Sequence, residues 1–164
     1  MRVLALAAVC LFTACGPAEQ PGPTFPIELF VSAGLLNEIS GFQLSVVSKG
    51  TTLDCVAVQK TCIDDQVDAS RFVKLKDAAG KDVLSVTFPI TLVAGTPNTQ
   101  DITLKDVPLG KDLALIVEAV SKESTPTLAG SSCNYLKQLT AGANPAVLAR
   151  IEVLSPHAAC DPRH

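Results

Sequence analysis

From Ile27 onward, apolar and polar residues alternate with a period of two. Phe42, Leu44 and Val46 alternate with Gln43 and Ser45, and Ile102 and Leu104 with Thr103 and Lys105. Leu113, Leu115, Val117 and Ala119 form a third one-face set. Val147, Ala149, Ile151 and Val153 form a fourth, with Arg150 and Glu152 on the opposite face. This is the spacing of strands with one face buried. Gly and Pro collect between the runs, at Gly50, Gly80, Pro108, Gly110, Gly130, Gly142 and Pro145 among others, where turns need a positive or a fixed φ. Short strands at intervals of about ten residues, with no amphipathic helix between them, predict an all-β antiparallel sandwich. Pro89 interrupts the run from Val83 to Val93, which reads as an edge strand or as two strands joined at a bend.

Before this pattern begins, the chain has a different character. Arg2 precedes a ten-residue apolar run, Val3 to Phe12. Ten helical residues span about 15 Å, half of a bilayer's hydrocarbon core, so the run reads as a secretory signal rather than a membrane span. Phe12-Thr13-Ala14-Cys15-Gly16 follows, and it resembles the lipobox of bacterial lipoproteins, departing from it in having Phe12 where the family prefers Leu. The resemblance implies cleavage after Ala14, acylation at Cys15 and, with Gly16 rather than Asp after the Cys, sorting to the outer membrane. Two or three acyl chains anchor a protein where one binds only marginally. The expected organisation is a signal peptide over 1–14, a lipidated Cys and Pro-rich tether over 15–26, and one domain over 27–164. The tether carries Pro17, Pro21, Pro23 and Pro26, and in polyproline II form it would hold the domain about 30 Å from the lipid.

Composition narrows the partners. The 164 residues carry a formal charge of −3, or −4 once Arg2 leaves with the signal peptide, and include one Tyr and no Trp. This excludes a basic nucleic-acid surface and the aromatic platforms that stack sugars or bases. The partners expected are the membrane, through the lipid, and an envelope protein, with no cofactor.

The segment Asp101 to Ala119, DITLKDVPLGKDLALIVEA, resembles the carboxypeptidase-regulatory or transthyretin-like sandwich. That family joins two strands of one sheet by a Pro-x-Gly turn, here Pro108-Leu109-Gly110. Leu128 to Cys133, Leu139 to Gly142 and the strand Val147 to Leu154 are similar to small surface lipoproteins of predatory soil bacteria of the myxobacterial type. The resemblance implies an immunoglobulin/transthyretin-like fold and a scaffold or interaction role, and it brings no catalytic residue.

Cys10 and Cys15 set aside, four Cys remain: Cys55, Cys62, Cys133 and Cys160. An even count in an oxidising compartment reads as two disulfides, with three pairings open. The pairing favoured is the local one, Cys55–Cys62, with Cys133–Cys160 closing the tail onto the domain.

Three groups of residues could carry chemistry. His157, Cys160, Asp161 and His164 have the H-x2-C-x3-H spacing of a zinc or copper site, though a disulfide-bonded Cys160 in a chain end is the plainer reading. Asp64, Asp65 and Asp68, with Asp54 nearby, could offer oxygen ligands to Ca²⁺, but the EF-hand spacing and its Gly are missing, and a solvated loop is the plainer reading. Gly80-Lys81-Asp82 and Gly110-Lys111-Asp112 lack the rest of a phosphate-binding loop and read as hairpin turns. No nucleophile elbow, zincin or dinucleotide motif occurs, and both His residues lie within the last eight positions, so the chain reads as a non-enzyme. The leading expectation is a lipid-anchored envelope module that binds protein through loops or through the edge at Pro89. The alternative is a small-ligand or Ca²⁺ module using residues 64–68.

Overall fold

The computed structural model describes residues 23–91 and 98–163. The strands, in chain order, are β1 (Phe25–Phe30), β2 (Ile39–Ser48), β3 (Leu75–Lys76), β4 (Asp82–Val83), β5 (Ser85–Pro89), β6 (Thr99–Leu104), β7 (Gly110–Ser121), β8 (Leu128–Leu139), β9 (Val147–Arg150) and β10 (Glu152–Ala158). Two short helices, α1 (Ala33–Leu36) and α2 (Cys55–Val58), sit in connections. One sheet has the order β6-β1-β9, the other β10-β8-β7-β2-β5, and β3 and β4 make a small hairpin. This is the all-β sandwich that the alternation predicts. β1 begins at Phe25, whose ring is buried, so the domain starts two residues before the tether boundary read from the prolines.

The main core lies between the two sheets. Ile27 and Leu29 of β1 and Ile102 of β6 face Phe42, Leu44 and Val46 of β2 and Leu115 and Val117 of β7. These are the same one-face sets that period two picks out, buried because only that face can leave water. Their neighbours depart from the expectation. Gln43, Ser45 and Glu118, placed by alternation on a wet face, are buried as well. The cause is the segment between β2 and β3, which folds back over the outer face of the five-stranded sheet. It builds a second core there from Val58, Ile63, Val67 and Phe72 against Val47, Ala114 and Ile116. The covering segment lies so close to β7 that a Cβ on Gly50 would stand 2.3 Å from the Leu113 carbonyl oxygen, which only Gly avoids.

Both disulfides fasten this cover, and they correct the local pairing. Cys55 joins Cys133 of β8 across 78 residues, and Cys62 joins Cys160 across 98. Cys133 stands on the outer face opposite Ile116, directly beneath the cover, and so meets α2 rather than the chain end. The favoured pairing took proximity in sequence as proximity in space; the fold-back reverses that.

Two further corrections concern connections. Pro108-Leu109-Gly110 does not join strands of one sheet: β6 belongs to the three-stranded sheet and β7 to the five-stranded one, so the turn crosses the sandwich. The run Val147 to Leu154 is likewise shared, β9 pairing with β1 and β10 with β8, and Ile151 marks the crossing, its amide bonded to the Phe30 carbonyl. Of the two Gly-Lys-Asp segments, the first is the expected hairpin turn, with Gly80 at φ +78° between β3 and β4. The second opens β7, where the Asp112 carboxylate accepts from the Thr51 amide at 2.8 Å.

Two measurements follow. Non-reducing peptide mapping yields Cys55–Cys133 and Cys62–Cys160 peptides; a Cys55–Cys62 peptide contradicts the structure. Replacing Cys62 and Cys160 together by Ala opens a 98-residue loop and lowers unfolding stability by about 4 kcal/mol in chemical denaturation.

Candidate functional site

Of the residues singled out for chemistry, the acidic group lies in the cover. Asp54 caps α2, its Oδ1 accepting from the Val56 and Ala57 amides at 3.0 and 3.2 Å, which accounts for its position structurally. Asp65 accepts from the Thr61 hydroxyl at 3.1 Å. Asp64, Asp65 and Asp68 line a shallow, open hollow of about 320 Å³ with Gln66 and Ala69. Among the described residues, no three His, Cys, Asp or Glu side chains come close enough to share a metal ion.

The tail group is divided. Cys160 is oxidised, its sulfur accepting from the Cys62 amide at 2.9 Å, so it offers no thiolate and the H-x2-C-x3-H reading fails at its central ligand. His157 instead sits between two carboxylates, Nε2 at 3.3 Å from Glu38 and Nδ1 at 3.5 Å from Glu123, with the Thr127 hydroxyl at 3.4 Å from Nδ1. Asp161 pairs with Arg163 at 2.8 Å, and that hydrogen bond holds its carboxyl below the ordinary carboxylate range. His164, Cys15 and the signal segment lie outside the described residues.

A groove of about 870 Å³ lies between β5 and β6, the edge strands on one side of the two sheets. Val86, Phe88 and Leu104 supply apolar wall, with Thr87, Thr103, Lys76 and Lys105 among its polar lining. The reading of Pro89 on an edge strand holds: among the described residues β5 pairs with β2 alone. Its backbone direction follows from two contacts. The Phe88 carbonyl oxygen lies against Gly41 of β2, whereas the Pro89 carbonyl turns away and accepts from Gln100 Nε2 at 2.9 Å. Gln100 Oε1 then accepts from the Thr91 amide at 2.9 Å, so one side chain of β6 takes the place of a neighbouring strand at that end. Successive residues of a strand face opposite sides, so Thr87, like Pro89, directs its amide and carbonyl away from β2. Pro89 loses no ladder bond there because its nitrogen points outward.

No family model, curated protein or solved structure matches the chain.

The most unusual group electrostatically is one that alternation misplaces. Gln43, Glu118, Ser131 and Glu152 form a row straight across β2, β7, β8 and β10. The cover and the chain end close over its middle: Gln43 donates to the Pro162 carbonyl, and Glu118 Oε1 accepts from the Ile63 amide at 2.8 Å. Glu118 is 1% exposed, and its Oε2 has no hydrogen-bond partner among the described residues. Burial pushes its carboxyl up to about 8, against the Ile63 hydrogen bond and with help from Asp64 and Asp65. One signal in the sequence marks this site. Leu113 to Val117 is apolar at every position, not every second one, as in strands buried on both faces.

The pH dependence has a definite sign. Unfolded Glu118 releases its proton near 4.5 and folded Glu118 near 8, so between these values the native state holds more protons. Stability therefore falls as pH rises through that window, by an amount on the order of 5 kcal/mol for this group. Glu118→Gln keeps an acceptor for Ile63 and removes the charge. It is expected to flatten the stability profile between those pH values and to raise the melting temperature at pH 8; an unchanged profile contradicts the assignment.

Proposed function

We propose that the protein is a non-catalytic, lipid-anchored component of the cell envelope, held at the outer membrane through Cys15 and acting as a structural or protein-binding module. The observation that carries this reading is the apolar run Val3 to Phe12 ending in Thr13-Ala14-Cys15-Gly16. Two cystines in the domain support export, because such bonds persist in oxidising compartments. Among the described residues no three acidic or tail side chains come close enough to share a metal ion, and the groove between β5 and β6 offers a surface for a protein partner. Its β5 wall presents outward backbone groups at Thr87 beside Val86 and Phe88, the arrangement that takes an extended peptide as an added strand. The binding partner is an envelope protein contributing such a segment.

Two experiments test the reading. Intact mass of the detergent-extracted protein is expected to fit a chain beginning at Cys15 with acyl groups, gaining four hydrogens on reduction; a chain without acyl mass removes the anchor. A photo-crosslinker at Thr103, across the groove, is expected to trap one envelope protein in intact cells. Thr87→Pro preserves the ladder with β2 and removes one outward donor, so it should reduce that crosslink about tenfold. A protein that crosslinks nothing from the groove is not a binding module of this kind.

A further inference from the structure

We propose that the end of the sandwich where the chain enters is a membrane-contact surface for anionic phospholipid headgroups. The inference rests on the lipid-anchor reading above and adds an orientation and a ligand chemistry to it. Thr24 is bonded to the Gly142 carbonyl at 3.2 Å, and the Asn144 amide to the Thr24 carbonyl at 3.3 Å, which places the incoming chain beside the 140–144 turn. Phe25 pairs with Leu104 and Gly110 with Leu139, so the same end holds the 105–109 loop and the start of β7. Ser48 pairs with Leu113, which brings Lys49 there, and the β3–β4 hairpin adjoins Lys105 and Asp106.

This topology sorts the charge. Seven of the chain's nine lysines are exposed at this end: Lys49, Lys105, Lys111 and Lys137 on strand ends and loops, and Lys74, Lys76 and Lys81 on or beside the hairpin. Four carboxylates accompany them, and three are engaged locally. Asp82 is paired with Lys76, Asp77 accepts from the Ala79 and Lys81 amides, and Asp112 accepts from Thr51; Asp106 is the fourth. A chain of net charge −3 thus shows a positive end. At the opposite end Glu38 and Glu123 flank His157.

The shape of the patch selects the partner. Lys76 and Lys105 line the groove, but the other five are spread over loops and strand ends, which suits a broad anionic surface on which each ammonium acts as a point charge. Leu109, 59% exposed, stands at the loop tip between Lys105 and Lys111, where an apolar side chain can enter the headgroup layer. Eight residues lie between Cys15 and Thr24, so the two are at most about 32 Å apart in a fully extended chain. An acylated Cys15 therefore keeps this end, and not the opposite one, within repeated reach of the lipid surface.

The test uses the full-length protein as extracted, its acylation first read by intact mass. It is placed in vesicles of phosphatidylcholine, or of phosphatidylcholine with about one-third phosphatidylglycerol, at about 0.15 M salt. Amine acetylation is then read lysine by lysine. Labelling of Lys105, Lys111 and Lys137 is expected to fall about five-fold in the anionic vesicles, with Lys60 and Lys122 unchanged. Leu109→Trp, the chain's single Trp, should shift its emission to the blue in the same vesicles only. Reversing Lys105, Lys111 and Lys137 to Glu should abolish the blue shift of the Leu109→Trp variant. Equal labelling in the two vesicle types, or protection of Lys60 and Lys122 instead, overturns the proposal. If no acyl mass is found, salt-sensitive co-sedimentation of the protein with the anionic vesicles keeps the contact surface and removes only the anchor; failure to co-sediment overturns both.

Discussion

The structure depends on keeping water off both faces of β2 and β7. One face is closed by the three-stranded sheet, as in any sandwich. The other is closed by a segment with little regular structure, residues 49–72, assisted by the last residues of the chain. Two four-residue helices are shown in this fold, and α2 is too short to hold its place by helix formation. What holds the cover is its contact with Val47, Ala114 and Ile116 and its two covalent ties to β8 and to the tail. Removing the cover would expose an apolar strip together with the Gln43–Glu118 pair, so the second core and the cystines are parts of one arrangement.

That arrangement explains the buried carboxyl. Glu118 sits where cover, sheet and tail meet, and the Ile63 amide that it accepts belongs to the cover. A protonated side chain suits the site because a charge there would face Asp64 and Asp65 with one hydrogen bond in compensation. The polar row therefore favours the closed cover when Glu118 is neutral and opposes it when the carboxyl ionises. The same geometry fixes Cys160, which lies against the Cys62 amide and cannot serve as a thiolate.

Much of the sandwich could be read from single residues. Phe42, Leu44 and Val46, and Leu115 and Val117, declare their buried face because alternation records one dry side. Pro89 declares an edge because its nitrogen can donate no ladder bond. The cystine pairing could not be read so, since it depends on a fold-back over the outer face that no local spacing encodes: Cys55 lies seven residues from Cys62 and bonds 78 residues away. The turn at Pro108 misled for a related reason. A short Pro-x-Gly connection suits a crossing between sheets as well as a hairpin, and only the partners of β6 and β7 decide between them. Alternation hides Glu118 by marking every second residue as wet, although Ala114 and Ile116 on the same strand face are apolar.

Amide hydrogen exchange, before and after gentle reduction of both cystines, tests most directly whether the covalently tied cover is a distinct cooperative unit on the sheet. The account predicts that the Val58, Ile63 and Val67 amides, protected in the oxidised protein, lose their protection on reduction. The amides of β1 and of the β2–β7 ladder should keep theirs. Retained protection at Ile63 after reduction, or simultaneous loss across cover and strands, would contradict it.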